Sequence, residues 1–256
     1  MPTFNSVALA ERCLTSILDQ KGICAQIIVS DDSTVPGVED LVQRLRATYP
    51  AICYAPGART GNPVDNWNVG LDLAQGRYSL LVHHDEVLTD PGYLRRAVDR
   101  LDAHRAQVLL TGHSRAGGSG RSRFGLASTL ARWLRLGPWT LYLINWIGPT
   151  ASVAFATDLA PRFDPRLVWL VDVDFYARLL AQAQGVVSER EVSVISQLHP
   201  DQISARIDGR ALAPDEIRRL GHDTPPCLSP GQYRLALAYH ALRRTRRIAR
   251  YRRFAR

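Results

Sequence analysis

Two periods of apolar residues alternate along the first ninety residues. Residues 7–20 (VALAERCLTSILDQ) place apolar side chains close to helical spacing, which predicts an amphipathic helix. Residues 25–30 (AQIIVS) form a short β-branched run, which predicts a buried parallel strand. The same patterns predict further helices at about 37–48 and 64–74 and further strands at about 51–54 and 77–82. This alternation indicates an α/β fold with a doubly wound sheet.

The second half of the chain is less regular. Residues 115–123 (RAGGSGRSR) predict a flexible loop. Residues 126–147 are apolar and contain three tryptophans but are interrupted by Arg, Gly and Pro. They predict either an acceptor-binding or membrane-surface element or packing under a site. Residues 148–155 predict a turn and a strand, 170–182 a helix, and 192–198 a last strand.

Acidic residues follow two of the predicted buried strands directly. Asp31 and Asp32 follow one strand, and Asp85 and Glu86 follow another. In an open α/β sheet, ligands bind at the carboxyl ends of the strands. One such acidic turn is usually a helix cap. Two acidic turns on one edge favour a binding site.

Composition narrows the class of protein. No run of about 18 uncharged apolar residues predicts a membrane-spanning helix. The first five residues have neither the basic start nor the apolar core of a signal peptide. The four cysteines lack CxxC spacing, so we expect small core residues of a reducing compartment. These features predict a cytosolic protein.

The net charge of +8 comes almost entirely from arginine, since Lys21 is the only lysine. Arginines crowd residues 243–256. Such a tail can bind phosphate, nucleic acid or an anionic membrane surface, or be a solvated helix face. No nucleic-acid-binding motif is recognisable, so we expect no nucleic-acid partner. We predict a first domain over 1–210 and a helical, Arg-rich extension over 211–256.

Six stretches resemble, in order and near its spacings, glycosyltransferase family 2. They are PTFNS (2–6), IIVSDDST (27–34), the N-x-G of 68–70, AQGRYSLLVHHDEVL (74–88), FDPRLVWLVDVDFYARLL (163–180) and HPDQIS (199–204). The resemblance implies the GT-A fold, a Rossmann-like mixed sheet flanked by helices. It also implies a nucleotide-sugar donor, a divalent metal (Mn²⁺ or Mg²⁺) and inversion at the anomeric carbon. The expected acceptor is a saccharide or lipid-linked saccharide in cell-surface polysaccharide or glycolipid assembly.

The resemblance also implies roles for residues of the donor site. One of the two acids at 31–32 would bind the base, in a pocket that residues 3 and 5 also line. The candidate donor-binding residues are Thr3, Asn5, Asp31, Asp32, Asn68, His83 and His84. The family pattern D-x-D assigns the metal to Asp85, with His83 standing where the first acid usually stands. His199 is a further candidate metal ligand and Glu86 a less certain one.

An inverting transfer needs a carboxylate that takes the proton of the acceptor hydroxyl. The resemblance places Asp172 as this base. Asp174 lies ~200° away on a helix, so only one of the two can point into the site. Asp174 and Trp169 are candidate acceptor-side residues. A plain acidic helix N-terminus is the alternative. Val171 and His83 depart from the family pattern, so a second alternative is a nucleotide-sugar-binding protein with impaired catalysis.

The family's first strand ends in PTYN-like residues. Here only Met1 precedes Pro2. We therefore expect a truncated first strand, with about ten further residues upstream in the full protein, since strands average ~5–6 residues.

Overall fold

The computed structural model describes residues 1–57, 59–116, 136–197, 202–222 and 228–254. The strands in these ranges are β1 Pro2–Thr3, β2 Ile27–Asp31, β3 Ile52–Pro56, β4 Tyr78–Leu80, β5 Glu86–Leu88, β6 Val108–Arg115, β7 Val153–Ala156 and β8 Val186–Ser196. The α-helices are α1 Val7–Leu18, α2 Val38–Arg46, α3 Pro63–Asp72, α4 Tyr93–Ala103, α5 Val171–Gln182, α6 Ile203–Arg206, α7 Gly209–His222 and α8 Pro230–Phe254. Short 3₁₀ helices cover Pro138–Tyr142, Thr150–Ser152 and Thr157–Leu159.

The strands form two sheets. The first has the order β1-β2-β3 and is entirely parallel. The second has the order β4-β7-β6-β8-β5, and its pairs are antiparallel except β6 with β8. The mixed sheet implied by the resemblance is therefore observed. The parallel winding predicted from the sequence holds for the first sheet, whereas the second is mostly antiparallel.

Local sequence explains where the first helices start. Ser6 caps α1, its hydroxyl accepting the N–H of Leu9 at 3.4 Å. Asn62 caps α3 in the same way, accepting from the N–H of Val64 at 3.0 Å, and Pro63 occupies the first turn. Both helices follow a β-strand, so each cap fixes a helix start near a strand end.

Two apolar clusters form the core. One contains buried residues of α1, α2 and α4, such as Leu14, Leu41 and Leu101. The other contains buried residues of α5, α7 and α8, such as Phe175 and Ile217. The predicted domain boundary at residue 210 lies within α7. Both α7 and α8 share a core with α5.

The tryptophan-rich segment lies partly outside the described residues, which resume at 136. Trp139 and Trp146 pack against the second core cluster. Of the two interpretations of this segment, these two side chains favour packing under the site. Among the described helices, none combines the length and apolar character needed to cross a bilayer.

Candidate donor and catalytic site

Asp31 ends β2 and joins all three strands of the first sheet. Its Oδ1 accepts hydrogen bonds from Thr3 Oγ1 at 2.7 Å and Ser33 Oγ at 2.5 Å, and its Oδ2 accepts from the Tyr54 hydroxyl at 3.0 Å. Burial, reinforced by the Asp31 charge, raises the pKa of Tyr54 to about 12. Asp31 therefore holds the ends of β1, β2 and β3 together.

Asn5 ties the start of the chain to the loop after β2. Its backbone takes the left-handed conformation, with φ of 50°, which asparagine tolerates better than most residues. Its Oδ1 accepts from the N–H of Thr34 at 2.8 Å, and its own N–H donates to Ser33 Oγ at 2.8 Å. The two segments resembling the family's nucleotide-binding stretches are thus hydrogen-bonded to each other.

Asp32 and Asn66 face a crowded point at the end of β3. Asp32 Oδ1 accepts from the N–H of Arg59 at 2.6 Å. A Cβ added to Gly57 would lie 2.8 Å from both Asp32 Oδ1 and Asn66 Oδ1. Asn66 Nδ2 donates to the Thr3 carbonyl at 3.3 Å. Its Oδ1 is buried and has no hydrogen-bond partner among the described residues.

Asn68 points away from this cluster. Its Oδ1 accepts from the N–H of Phe163 at 2.8 Å, and its Nδ2 donates to the Phe163 carbonyl at 3.0 Å. Asn66 and Asn68 lie ~200° apart on α3. The structure therefore places Asn66, which sequence reasoning missed, beside the predicted nucleotide residues. A role of Asn68 in donor binding stays a prediction.

His83 and Glu86 are locked together at the start of β5. The N–H of His83 donates to Glu86 Oε2 at 2.8 Å, and its ring lies edge-on to Trp67 at 4.7 Å between centroids. Burial lowers the pKa of His83 to about 4, so its ring is neutral near pH 7. Burial first, and then the charge of Asp85, holds the pKa of Glu86 well above its ordinary value.

Asp85 lies between these two residues and is partly exposed. Its Oδ2 accepts from Gln202 Nε2 at 2.7 Å, and its carbonyl accepts from the N–H of Gln197 at 2.8 Å. The described ranges contain no cluster of three or more His, Cys, Asp or Glu arranged to hold a metal. His199 lies outside the described residues. A partly exposed carboxylate still suits a cation whose remaining ligands are phosphate oxygens and water.

Asp172 lies in the first turn of α5. Its Oδ1 is buried and without a hydrogen-bond partner among the described residues. Burial raises the pKa of Asp172 to about 7. The charge of Asp172 contributes to the raised pKa of Glu86, after burial and Asp85. Asp172 and the acidic turn that contains Asp85 therefore share an electrostatic environment.

Asp174 has a different environment, two residues further along α5. It is 1% exposed and accepts from the Tyr142 hydroxyl at 2.8 Å and from Arg178 Nη2 at 2.6 Å. These partners use both of its oxygens inside the core. Trp169, by contrast, is 40% exposed just before α5. An acceptor-side role for either residue stays a prediction, and the contacts of Asp174 favour a structural one.

Comparison with known proteins identifies the family. The model of "Glycosyl transferase family 2" matches residues 1–157, which is more than half of the chain. The chain belongs to glycosyltransferase family 2. The match contains every candidate donor residue named above and Asp85, whereas Asp172 lies beyond it.

Three curated relatives of this family 2 protein span different shares of it. An uncharacterised protein of Mycobacterium tuberculosis is 28% identical over 93% of this chain and 78% of its own length. The succinoglycan biosynthesis protein ExoO of Rhizobium meliloti is 28% identical over 42% of this chain and 30% of its own. A Campylobacter jejuni GalNAc(5)-diNAcBac-PP-undecaprenol beta-1,3-glucosyltransferase is 34% identical over 34% of this chain and 29% of its own.

Solved structures show that the fold is GT-A. TarS of Staphylococcus aureus aligns with a TM-score of 0.66 and 19% identity, over 94% of this chain and 68% of that one. The mannosyltransferase PcManGT of Pyrobaculum calidifontis, solved with GDP-Man and Mn²⁺, aligns with a TM-score of 0.64 and 16% identity, over 94% and 67%. At these identities the likeness defines the fold alone.

Proposed function

We propose that this family 2 protein is an inverting glycosyltransferase that moves a sugar from a nucleoside-diphosphate donor to an acceptor hydroxyl, with Asp172 as the catalytic base. The contrast between Asp172 and Asp174 carries the proposal. Within the described part of the chain, the buried Oδ1 of Asp172 has no hydrogen-bond partner, and burial raises the pKa of Asp172 to about 7, which suits proton transfer near neutral pH. Asp174 is fully engaged with Tyr142 and Arg178.

The donor nucleotide would bind where the first sheet ends. Asp32 and the Oδ1 of Asn66, which has no hydrogen-bond partner among the described residues, are polar groups at this place, and Asp31 and Asn5 hold the surrounding loops. TarS has been solved with UDP and with UDP-GlcNAc, and PcManGT with GDP-Man, which supports a nucleotide-sugar ligand. His83 and His84 would be donor-side residues next to Asp85.

We further propose a divalent cation at Asp85, with His199 and Glu86 as additional ligands. A bound cation would stabilise the negative charge of the departing diphosphate. Histidine ligation favours manganese over magnesium, and PcManGT was solved with Mn²⁺. Glu86 is buried, with its Oε2 accepting from the His83 N–H, whereas Asp85 is partly exposed, which makes Asp85 the principal ligand of this proposal.

The acceptor is proposed from the names of relatives. ExoO and the Campylobacter enzyme are named for succinoglycan biosynthesis and for transfer to an undecaprenol-linked saccharide. A saccharide or lipid-linked saccharide is therefore the proposed acceptor. Such a lipid carrier lies in a membrane, which the Arg-rich C-terminus would contact from the cytoplasmic side.

A thermal-shift screen tests the donor proposal, because a ligand that binds only the folded state raises its apparent stability. UDP and GDP would be compared with and without Mn²⁺, in the wild type and in Asp85→Ala. We expect one nucleotide to raise Tm by several degrees in a Mn²⁺-dependent way, and the dependence to vanish in Asp85→Ala. No shift with either nucleotide at millimolar concentration would contradict nucleotide binding. Binding without any turnover would instead identify a catalytically impaired binding protein.

A further inference from the structure

The segment before Asp172 is held in place by α7, a helix that lies far from it in sequence. Residues 166–170 lead directly into α5, and α7 packs along them. A Cβ added to Gly209, the first residue of α7, would lie 1.9 Å from Trp169 Cδ2. At the other end of the helix, Arg219 Nη1 donates to the Arg166 carbonyl at 3.0 Å. The two contacts bracket the segment.

Between these contacts lies a buried carboxylate. Glu216 is 2% exposed. Its oxygens accept from three consecutive backbone N–H groups: Val168 at 2.9 Å, Trp169 at 3.0 Å and Leu170 at 2.8 Å. Successive N–H groups that converge in this way form an anion-binding nest. Hydrogen bonds to a charged acceptor are stronger than neutral ones.

This nest lies at the start of α5. Leu170 is the N-cap of α5, and no side chain caps the helix there. Asp172 follows Leu170 by two residues, so the backbone that Glu216 fixes sets the start of the helix that carries Asp172. The backbone of Trp169, whose side chain is 40% exposed, is the middle one of the three N–H donors. Buried residues of α7, such as Ile217, anchor the carboxylate from the core side.

We propose that Glu216 is the positioning residue for Asp172 and Trp169, so that α7 governs acceptor activation without taking part in donor binding. This proposal rests on the proposed role of Asp172 as the base. The hydrogen bonds that Glu216 makes within the described residues go to backbone amides. The candidate nucleotide residues lie on other elements, at the ends of β1 and β2, on α3 and just before β5.

The contact is tested first without turnover. Amide hydrogen exchange at residues 168–170 would be measured in the wild type, Glu216→Ala, Glu216→Gln and the control Arg218→Ala. Arg218 lies on the exposed face of α7, paired with Asp215. We expect exchange to accelerate about tenfold to a hundredfold in Glu216→Ala, and less in Glu216→Gln, whose amide oxygen still accepts. Unchanged exchange in both Glu216 variants would overturn the proposal.

The second readout separates acceptor activation from donor binding. We expect kcat of sugar transfer to fall about tenfold or more in Glu216→Ala, with partial recovery in Glu216→Gln. The Kd for UDP or GDP with Mn²⁺ should stay within about twofold of wild type. An unchanged kcat, or a Kd that rises as far as kcat falls, would overturn the positioning role. If Glu216→Ala does not fold, Glu216→Gln decides both readouts.

The proposed function fails on different variants. Wild-type transfer rates in Asp172→Asn would remove Asp172 as the base, whatever Glu216 does. Faster amide exchange in Glu216→Ala with unchanged kcat, and inactive Asp172→Asn, would instead reject only the positioning role of Glu216.

Discussion

Asp172 and Asp174 show how two identical side chains on one helix turn acquire opposite properties. The ~200° between them directs one towards the acidic turn at 85–86 and the other into the core. Asp174 meets Tyr142 and Arg178, whereas Asp172 is desolvated without such partners for its Oδ1. Desolvation disfavours the charged form and so raises the pKa of Asp172.

The raised pKa of Asp172 predicts a pH profile. Only the ionised carboxylate can accept a proton, so kcat/KM for the acceptor should rise with pH and level off above a midpoint of about 7. Below the midpoint the rate should fall about tenfold per pH unit. Initial rates between pH 5 and 9 measure this. A profile that is flat over this range, or a midpoint near the ordinary aspartate value, would contradict the assignment.

The buried contacts of Asp174 predict that removing its side chain lowers the stability of the protein. Asp174→Ala leaves Arg178 and the Tyr142 hydroxyl without their buried acceptor, so we expect the free energy of unfolding to fall by about 3–5 kcal/mol. Urea denaturation at pH 7 measures the change. A loss below about 1 kcal/mol would mean that the ion pair does not stabilise α5.

Asp172→Asn is the matched control. Because the folded-state pKa of Asp172 is raised, ionisation destabilises the folded protein as pH rises from about 4 to 7. The neutral amide removes this cost. We therefore expect Asp172→Asn to be at least as stable as wild type at pH 8, and its advantage to shrink towards pH 4.

At the scale of elements, hydrophobic periodicity predicts α1, α2, α3 and α5 and the strands before both acidic turns. These elements have strong local patterns, and side chains cap two of the helices, α1 and α3. Periodicity does not predict the antiparallel second sheet, because strand direction depends on partners far along the chain. The antiparallel β4–β7 pair, for example, joins Tyr78 to Ala156.

The candidate site divides in the same way. Thr3, Asn5, Asp31 and Asp32 can be predicted together because short motifs at strand ends define them, and the structure does hydrogen-bond them into one unit. Asn66 escapes prediction because its place beside Asp32 depends on the rotation of α3, which the motif does not encode, and the donor-binding role of Asn68 stays a prediction. Glu216 escapes prediction because its three partners lie 46–48 residues away in sequence.

The two faces of α3 give a paired prediction. Asn68→Ala removes two buried hydrogen bonds to Phe163, so we expect a loss of about 2–3 kcal/mol in unfolding free energy. Asn66→Ala should weaken nucleoside-diphosphate binding about tenfold, and more than Asn68→Ala does, because the Oδ1 of Asn66 lies beside Asp32. Urea denaturation and nucleotide titration of both variants measure this. Equal nucleotide affinities would contradict the donor-side role of Asn66.

At the scale of the whole molecule, the C-terminal helices belong to the structure that carries the base. Ala236 is buried in the second core cluster, and His240 Nε2 lies 2.6 Å from the Tyr142 carbonyl. Tyr142 also binds Asp174. Removing all of α8 would therefore disturb α5. Arg243 packs against Tyr239. A truncation should therefore remove only residues beyond Arg243.

We predict that removing residues 244–256 causes a selective defect in membrane binding. The deletion removes seven arginines, each worth about 1 kcal/mol near an anionic surface. We expect the protein to keep its Tm and its hydrolysis of the donor but to lose binding to phosphatidylserine vesicles. Vesicle co-sedimentation at low salt measures the loss, with neutral vesicles as the control. Undiminished binding of the truncated protein would rule out the tail as a membrane contact.

In the proposed reaction, a donor site at Asp85 and a base at Asp172 act together. Release of nucleoside diphosphate from UDP- and GDP-sugars, with Mn²⁺ and saccharide acceptors, tests it most directly in the wild type, Asp85→Ala and Asp172→Asn. We expect turnover by the wild type alone, loss of Mn²⁺-dependent nucleotide binding in Asp85→Ala, and retained binding with a rate at least about a hundredfold lower in Asp172→Asn. Wild-type turnover by either variant would contradict this joint role.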